Sequence, residues 1–256
     1  MDRYPIRVTL LANAGVLIRY QDTALLLDGL FGRKDNPFSL LPPGCREAML
    51  RGEPPFERLD YLLFTHYHPD HFDPEMVRAL LEHRRVKGLF YPKDEAPAVQ
   101  KLSRWLQQEG IPCVPLCRGT DRAVIQIEPG ISVQAFMVPH LGEEYRSVPH
   151  VCYLLSFDGR RVLFTADSDY LHEDFSRLAG TPLYAVFLNP LFYQAYYNTR
   201  LFHGHFDTDT LCVYHVLFPE DDGMHMQDMA RRMPRGAADS GLRVLPLTEP
   251  MQQIEL

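Results

Sequence analysis

Five separate apolar runs in this chain of 256 residues stop on a side chain that can bind a metal ion. Leu25-Leu26-Leu27 ends at Asp28, Leu62-Leu63-Phe64-Thr65 at His66 and His68, and Phe136-Met137-Val138-Pro139 at His140. Val162-Leu163-Phe164-Thr165-Ala166 ends at Asp167, and Leu211-Cys212-Val213-Tyr214 at His215. Short continuous apolar runs bounded by turns read as strands buried on both faces, which sheets covered by helices require. Strands lying side by side would bring these ends together along one rim. A single α/β or layered β domain is expected.

The densest stretch is YLLFTHYHPDHF, Tyr61 to Phe72, which holds three of the 11 histidines. A random chain of this composition would show H-x-H-x-D-H only about once in a thousand tries. His66 and His68, two apart in an extended segment, project to the same side and can grip one ion together. Asp70 and His71, on the turn into a helix, face a second position. With His140 added to the first ion, His215 to the second and Asp167 between them, seven side chains can hold two divalent ions. Imidazole and carboxylate suit zinc, with iron or manganese as alternatives. Such a pair lowers the pKa of a bridging water to about 7 and clamps a polarised substrate oxygen.

With T-H-Y-H-P-D-H at Thr65 to His71, Asp28 before it, and His140, Asp167 and His215 after it in that order, the chain resembles the metallo-β-lactamase-fold hydrolase superfamily over nearly its whole length. The resemblance implies an α/β (α+β) fold, a four-layer αβ/βα sandwich, here a single domain over residues 1–256. It also implies His66, His68 and His140 on the first ion, Asp70, His71 and His215 on the second, and Asp167 bridging. Asp28 would orient a ligand histidine, and Asp70 would also hold the attacking hydroxide in line. Pro139-His140 and Pro149-His150 both stand near the third-motif position. His140 is preferred because it ends a strand, whereas His150 opens one at Val151 to Leu155. His215 is preferred over His203, His205 and His225 on the same ground.

The implied function is a hydrolase whose metal-held hydroxide attacks an ester, lactone, thioester, amide or phosphoester of a small molecule. The alternatives are a nucleic-acid phosphodiesterase of the same fold and a metal-binding or redox module without hydrolysis. A formal charge of −7 and a pI near 5.9 give no basic footprint for nucleic acid. No run of 18 apolar residues spans a membrane, and Arg7 and Asn13 interrupt what would have to be a signal core. The five cysteines are scattered and lack C-x-x-C pairing, so reduced thiols and a cytoplasmic location are expected. The expected partner is a small-molecule substrate, with no nucleic acid and no membrane, and a homo-oligomer is compatible with the sequence.

Strands are expected at 8–12, 16–20, 24–27, 61–64, 88–91, 111–116, 123–128, 131–138, 151–157, 161–165, 184–188, 211–214 and 242–247. Residues 29–55, rich in Pro and Gly, read as a long loop with one helical turn around 46–50. Asp73-Pro74-Glu75 is a helix start with Asp73 as N-cap and Phe72 placed to staple onto Val77. Helices are expected to end near His83 and Glu109, with a short one at 171–178. Asn189 to Asp207 holds Phe192, Tyr193, Tyr196, Tyr197, Phe202 and Phe206 with His203 and His205. Ordinary packing accounts for such aromatics. The functional reading is a pocket wall in which His203 or His205 steadies an oxyanion or protonates a leaving group. His83, His172 and His225 read as ordinary surface or core histidines.

Overall fold

The computed structural model describes residues 4–32, 38–117, 123–170, 173–199, 206–236 and 241–256. The chain forms two compact units, one from residues 1–116 with 250–256 and one from 117–249.

The first unit opens with β1 (Arg7–Ala12), β2 (Gly15–Tyr20) and β3 (Thr23–Leu27), which pair antiparallel as the polar turns between them require. After α1 (Cys45–Arg51) come β4 (Tyr61–Leu63), α2 (Pro74–His83), β5 (Gly88–Pro92), α3 (Pro97–Gln108) and β6 (Cys113–Leu116). β3, β4, β5 and β6 are parallel neighbours, with helices at the crossovers. Such strands are buried on both faces, and β3, β4 and β5 are buried throughout. Asp73 caps α2: its Oδ1 accepts from the backbone N–H of Glu75 at 2.9 Å and Met76 at 3.4 Å. Phe72 and Val77 lie in one core cluster with Leu62, Leu80, Leu89 and Leu102. The Arg84 guanidinium, its pKa lowered by burial, ties the α1 segment to α2 by donating to the carbonyls of Met49, Phe56 and Glu57.

The second unit repeats the pattern. β7 (Val124–Glu128), β8 (Ile131–Met137), β9 (Val151–Phe157) and β10 (Arg160–Phe164) are antiparallel. Asp158 and Gly159 both take positive φ, 47° and 83°, which is the hairpin turn that an Asp-Gly pair supplies. β11 (Ala185–Leu188), β12 (Thr210–Val213) and β13 (Arg243–Pro246) then add in parallel to β10. Each unit is thus a seven-stranded mixed sheet with helices, the expected α/β class.

Four elements go beyond the sequence reading, among them a short 3-10 turn over Glu143–Tyr145. Residues 190–199 of the aromatic stretch form α4 (Pro190–Thr199), and α5 (Met226–Gly236) follows β12. β14 (Gln253–Glu255) returns to pair with β1, Ile254 opposite Val8. The short helix before β11 is a 3-10 turn over Glu173–Leu178. No helix among the described residues is long and apolar enough to cross a membrane.

Candidate metal-ligand groups

In parallel sheets the chain leaves each strand at its carboxyl end into loops that carry the chemistry. Asp28 follows β3, and Thr65 and His66 follow its parallel neighbour β4. Asp28 is fully buried and holds a left-handed backbone, φ 47°. Its Oδ1 accepts from the Thr65 N–H at 2.8 Å, while Oδ2 accepts from the Thr65 hydroxyl at 2.6 Å and lies 2.8 Å from His71 Nδ1. Thr65 Oγ1, its own proton given to Asp28, lies 3.0 Å from His66 Nδ1 and can accept from it. This assigns the Nδ1–H tautomer to His66 and His71, leaving an Nε2 lone pair on each. His66 Nε2 stands 2.9 Å from His68 Nδ1, and His71 Nε2 stands 3.3 Å from Asp70 Oδ2. Two nitrogens on one tetrahedral ion with bonds near 2.0–2.1 Å are about 3.3 Å apart, so this spacing fits shared ligation after a small adjustment.

In the second unit Asp167 follows β10, Asn189 follows β11 and His215 follows β12, three parallel neighbours. β8 runs in the same direction as β10, so His140 reaches the same end of the sheet. His140 Nδ1 donates to the Leu141 carbonyl at 2.6 Å, and its Nε2 lies 3.8 Å from Asp167 Oδ2. His215 Nε2 lies 3.4 Å from the same oxygen. His150 is buried 5.7 Å from His140, ring to ring, its Nδ1 held by the Val138 carbonyl at 3.2 Å. Both histidines stand at one rim because β9 starts where β8 ends. Of the two, His140 is the one whose Nε2 stands beside Asp167.

Each unit therefore carries His and Asp groups whose ligand atoms, in the pairs His66/His68, Asp70/His71 and Asp167/His215, lie within 4.8 Å of one another. His203 and His205 fall outside the described residues. His83 and His225 are exposed, as expected of bystanders, and His172 is also outside the described residues. Phe192, Tyr193 and Phe206 are core residues packed with Phe175, so ordinary packing accounts for these three aromatics.

Three supporting residues escaped the sequence reading. Thr65 stood in the quoted motif without a role. Asn189 is buried; its Nδ2 donates to the Ala166 carbonyl at 3.0 Å and reaches Asp167 Oδ1 at 3.5 Å, while its Oδ1 accepts the Phe192 N–H at 2.8 Å. It thereby caps α4 and braces the Asp167 loop. The Tyr214 hydroxyl accepts the Ala166 N–H at 3.0 Å, which helps hold Ala166 at φ 45°. The rule that an apolar strand stops on a polar residue would have named Asn189, because Ala185 to Leu188 ends there.

A family model described as the beta-lactamase superfamily domain matches residues 25–218. The chain belongs to that superfamily, with the metallo-β-lactamase fold. Members of known structure share that fold with it at low sequence identity. An isothiocyanate hydrolase from Delia radicum gut bacteria is 14% identical with a TM-score of 0.66, covering 97% of this chain and 98% of that one. CmlA, a diiron β-hydroxylase from Streptomyces venezuelae, is 20% identical with a TM-score of 0.64; the match covers all of this chain and 54% of CmlA. The short form of human tRNase Z is 11% identical with a TM-score of 0.57, covering 97% and 98%. No curated protein matches the sequence. Three different chemistries on one fold mean that the fold does not select the substrate.

Proposed function

We propose that the protein is a metal-dependent hydrolase of small molecules, residues 1–256 working as one domain around two divalent ions. His66, His68 and His140 would hold the first ion, Asp70, His71 and His215 the second, with Asp167 between them. The observation that carries this reading is the fixed tautomer of His66 and His71, set by the buried Asp28–Thr65 pair and leaving Nε2 lone pairs as ligands. The Leu141 carbonyl does the same for His140. A family match that runs across both ligand groups supports their acting together. When bound, such ions lower the pKa of water to about 7 and polarise the oxygen of the scissile group.

The chain's own residues then have separate tasks. Asp28 and Thr65 keep the imidazoles oriented, Asp70 accepts a proton from the attacking water and aligns it, and Asn189 keeps Asp167 in register. His203 or His205 would protonate the leaving group. Zinc is the first choice for an N/O donor set, and the diiron chemistry of CmlA on this fold makes iron the first alternative. The net charge of −7 favours a small-molecule substrate over nucleic acid. Five free cysteines support a cytoplasmic location.

The test is a panel of ester, lactone, thioester, amide and phosphodiester substrates assayed with and without chelator. One bond class should be cleaved, with activity lost on chelation, restored by metal, and reduced about 10²- to 10⁴-fold in Asp70→Asn. Hydrolysis that survives both chelation and Asp70→Asn would refute the mechanism. His203→Ala or His205→Ala should lower turnover about 10²-fold with metal content unchanged; full activity in both would remove them from the mechanism.

A further inference from the structure

At the other end of the second sheet, away from His140 and Asp167, the strands change character. Across β8, β9 and β10 the register places Ser132 beside Ser156 and Ser156 beside Arg161. The next row, Gln134 and Leu154, begins the transition to the apolar face on which Phe136 and Leu163 pack. This polar row floors a groove of about 760 Å³ whose far wall is the 3-10 turn Glu173–Leu178, contributing Ser176 and Arg177, with Thr181 beyond it. The groove is large enough for a metabolite.

Two guanidinium groups, Arg161 and Arg177, and one carboxylate, Asp174, line the groove. Arg177 lies over the Phe136 ring, 5.5 Å from its centroid, and one amino group, Nη2, donates to Asp174 at 2.5 Å. Its other amino group, Nη1, is buried and meets no acceptor among the described residues. A buried charged donor left in that state costs free energy that an arriving acceptor would recover. Arg161, also on the groove, makes no ion pair among the described residues, and the groove's carboxylate, Asp174, is taken by Arg177. A planar guanidinium is suited to the oxygens of a carboxylate or phosphate.

We propose that this groove is a binding site for a small hydroxylated anion, its oxyanion held by Arg161 and Arg177 and its hydroxyl groups by Ser132 and Ser156. The site is separate from the metal ligands. Arg161 precedes Asp167 by six residues of largely extended chain, about 20 Å.

Isothermal titration of the full-length, metal-loaded protein at constant ionic strength tests this with glycerol 3-phosphate and with gluconate, one bearing phosphate and the other carboxylate. At least one should bind saturably, and the one that does identifies the oxyanion. Arg161→Gln and Arg177→Gln should each weaken binding about tenfold or more, and His66→Ala should leave it unchanged. Arg161 is exposed, so its variant remains informative if Arg177→Gln does not fold. The site is overturned if neither probe binds or if both arginine variants bind like wild type. Loss of binding in His66→Ala would place the anion at the metal ligands and overturn it equally.

Discussion

Asp28 shows how one buried carboxylate can determine the chemistry of residues distant in sequence. It accepts three hydrogen bonds, two from Thr65 and one from His71, inside a fully buried setting. Replacing it by Asn keeps the volume but removes the charge that selects the His71 tautomer. Asp28→Asn should therefore weaken metal affinity about 10- to 100-fold in a competitive chelator titration, and unchanged affinity would contradict the assigned role. Two other residues at this scale control pH behaviour. Burial pushes the Cys152 and Cys212 thiols well above the ordinary value of 9.0. In the unfolded chain they ionise near that value, whereas in the folded chain they stay protonated. The stability they contribute is therefore complete below about pH 9 and falls above it, by about 1.4 kcal/mol per thiol for each further pH unit. Denaturant unfolding at pH 8 and pH 10 measures this, and a Cys152→Ala, Cys212→Ala double variant should lose most of the difference.

The turns, rather than the strands, place the candidate ligands. Gly15, at the start of β2, lies so close to the loop after β3 that an added Cβ would stand 2.8 Å from the Asp28 carbonyl and 3.0 Å from that of Ala12. Both obstacles are backbone, so Gly15→Ala should displace the Asp28 loop and cost about 1–3 kcal/mol in denaturant unfolding, with metal affinity falling as well. Asp73→Ala, which removes only the cap of α2, should cost about 0.5–2 kcal/mol. Strands were legible because apolar runs of four to seven residues stop at Gly, Pro, Asp or His. α2 was legible because Asp73-Pro74 announces a helix start. α4 was not, since its aromatic sequence has no sharply amphipathic pattern and its cap, Asn189, also braces the Asp167 loop. α5 was missed despite a strong polar and apolar division, because Pro234 inside it and the glycines flanking it read as loop. β14 was hidden by its shortness, three residues whose strand character comes from pairing with β1. The candidate ligand residues were picked out largely as strand ends; Thr65, Asn189 and Tyr214 were not, because their roles are hydrogen bonds that only the folded turns create.

Across the molecule, each unit repeats one plan in which an antiparallel set of strands passes into a parallel set, and the parallel ends carry the candidate ligands. Among the described residues each unit has a core cluster, one around Leu62 and Phe64 and one around Phe136 and Phe192. If ligands from both units share the ions, metal should join the two cores thermodynamically: ligand binding to the folded state stabilises it in proportion to the logarithm of free metal over Kd. Calorimetric unfolding should then give a higher Tm in metal than in chelator, and the gap should vanish in Asp167→Ala. The most direct test of the account is elemental analysis of the purified protein. About two transition-metal ions per chain are expected, falling in both His66→Ala and His215→Ala variants, one from each group. A native protein that carries no transition ion, takes none up when supplied and keeps its activity in chelator would contradict it.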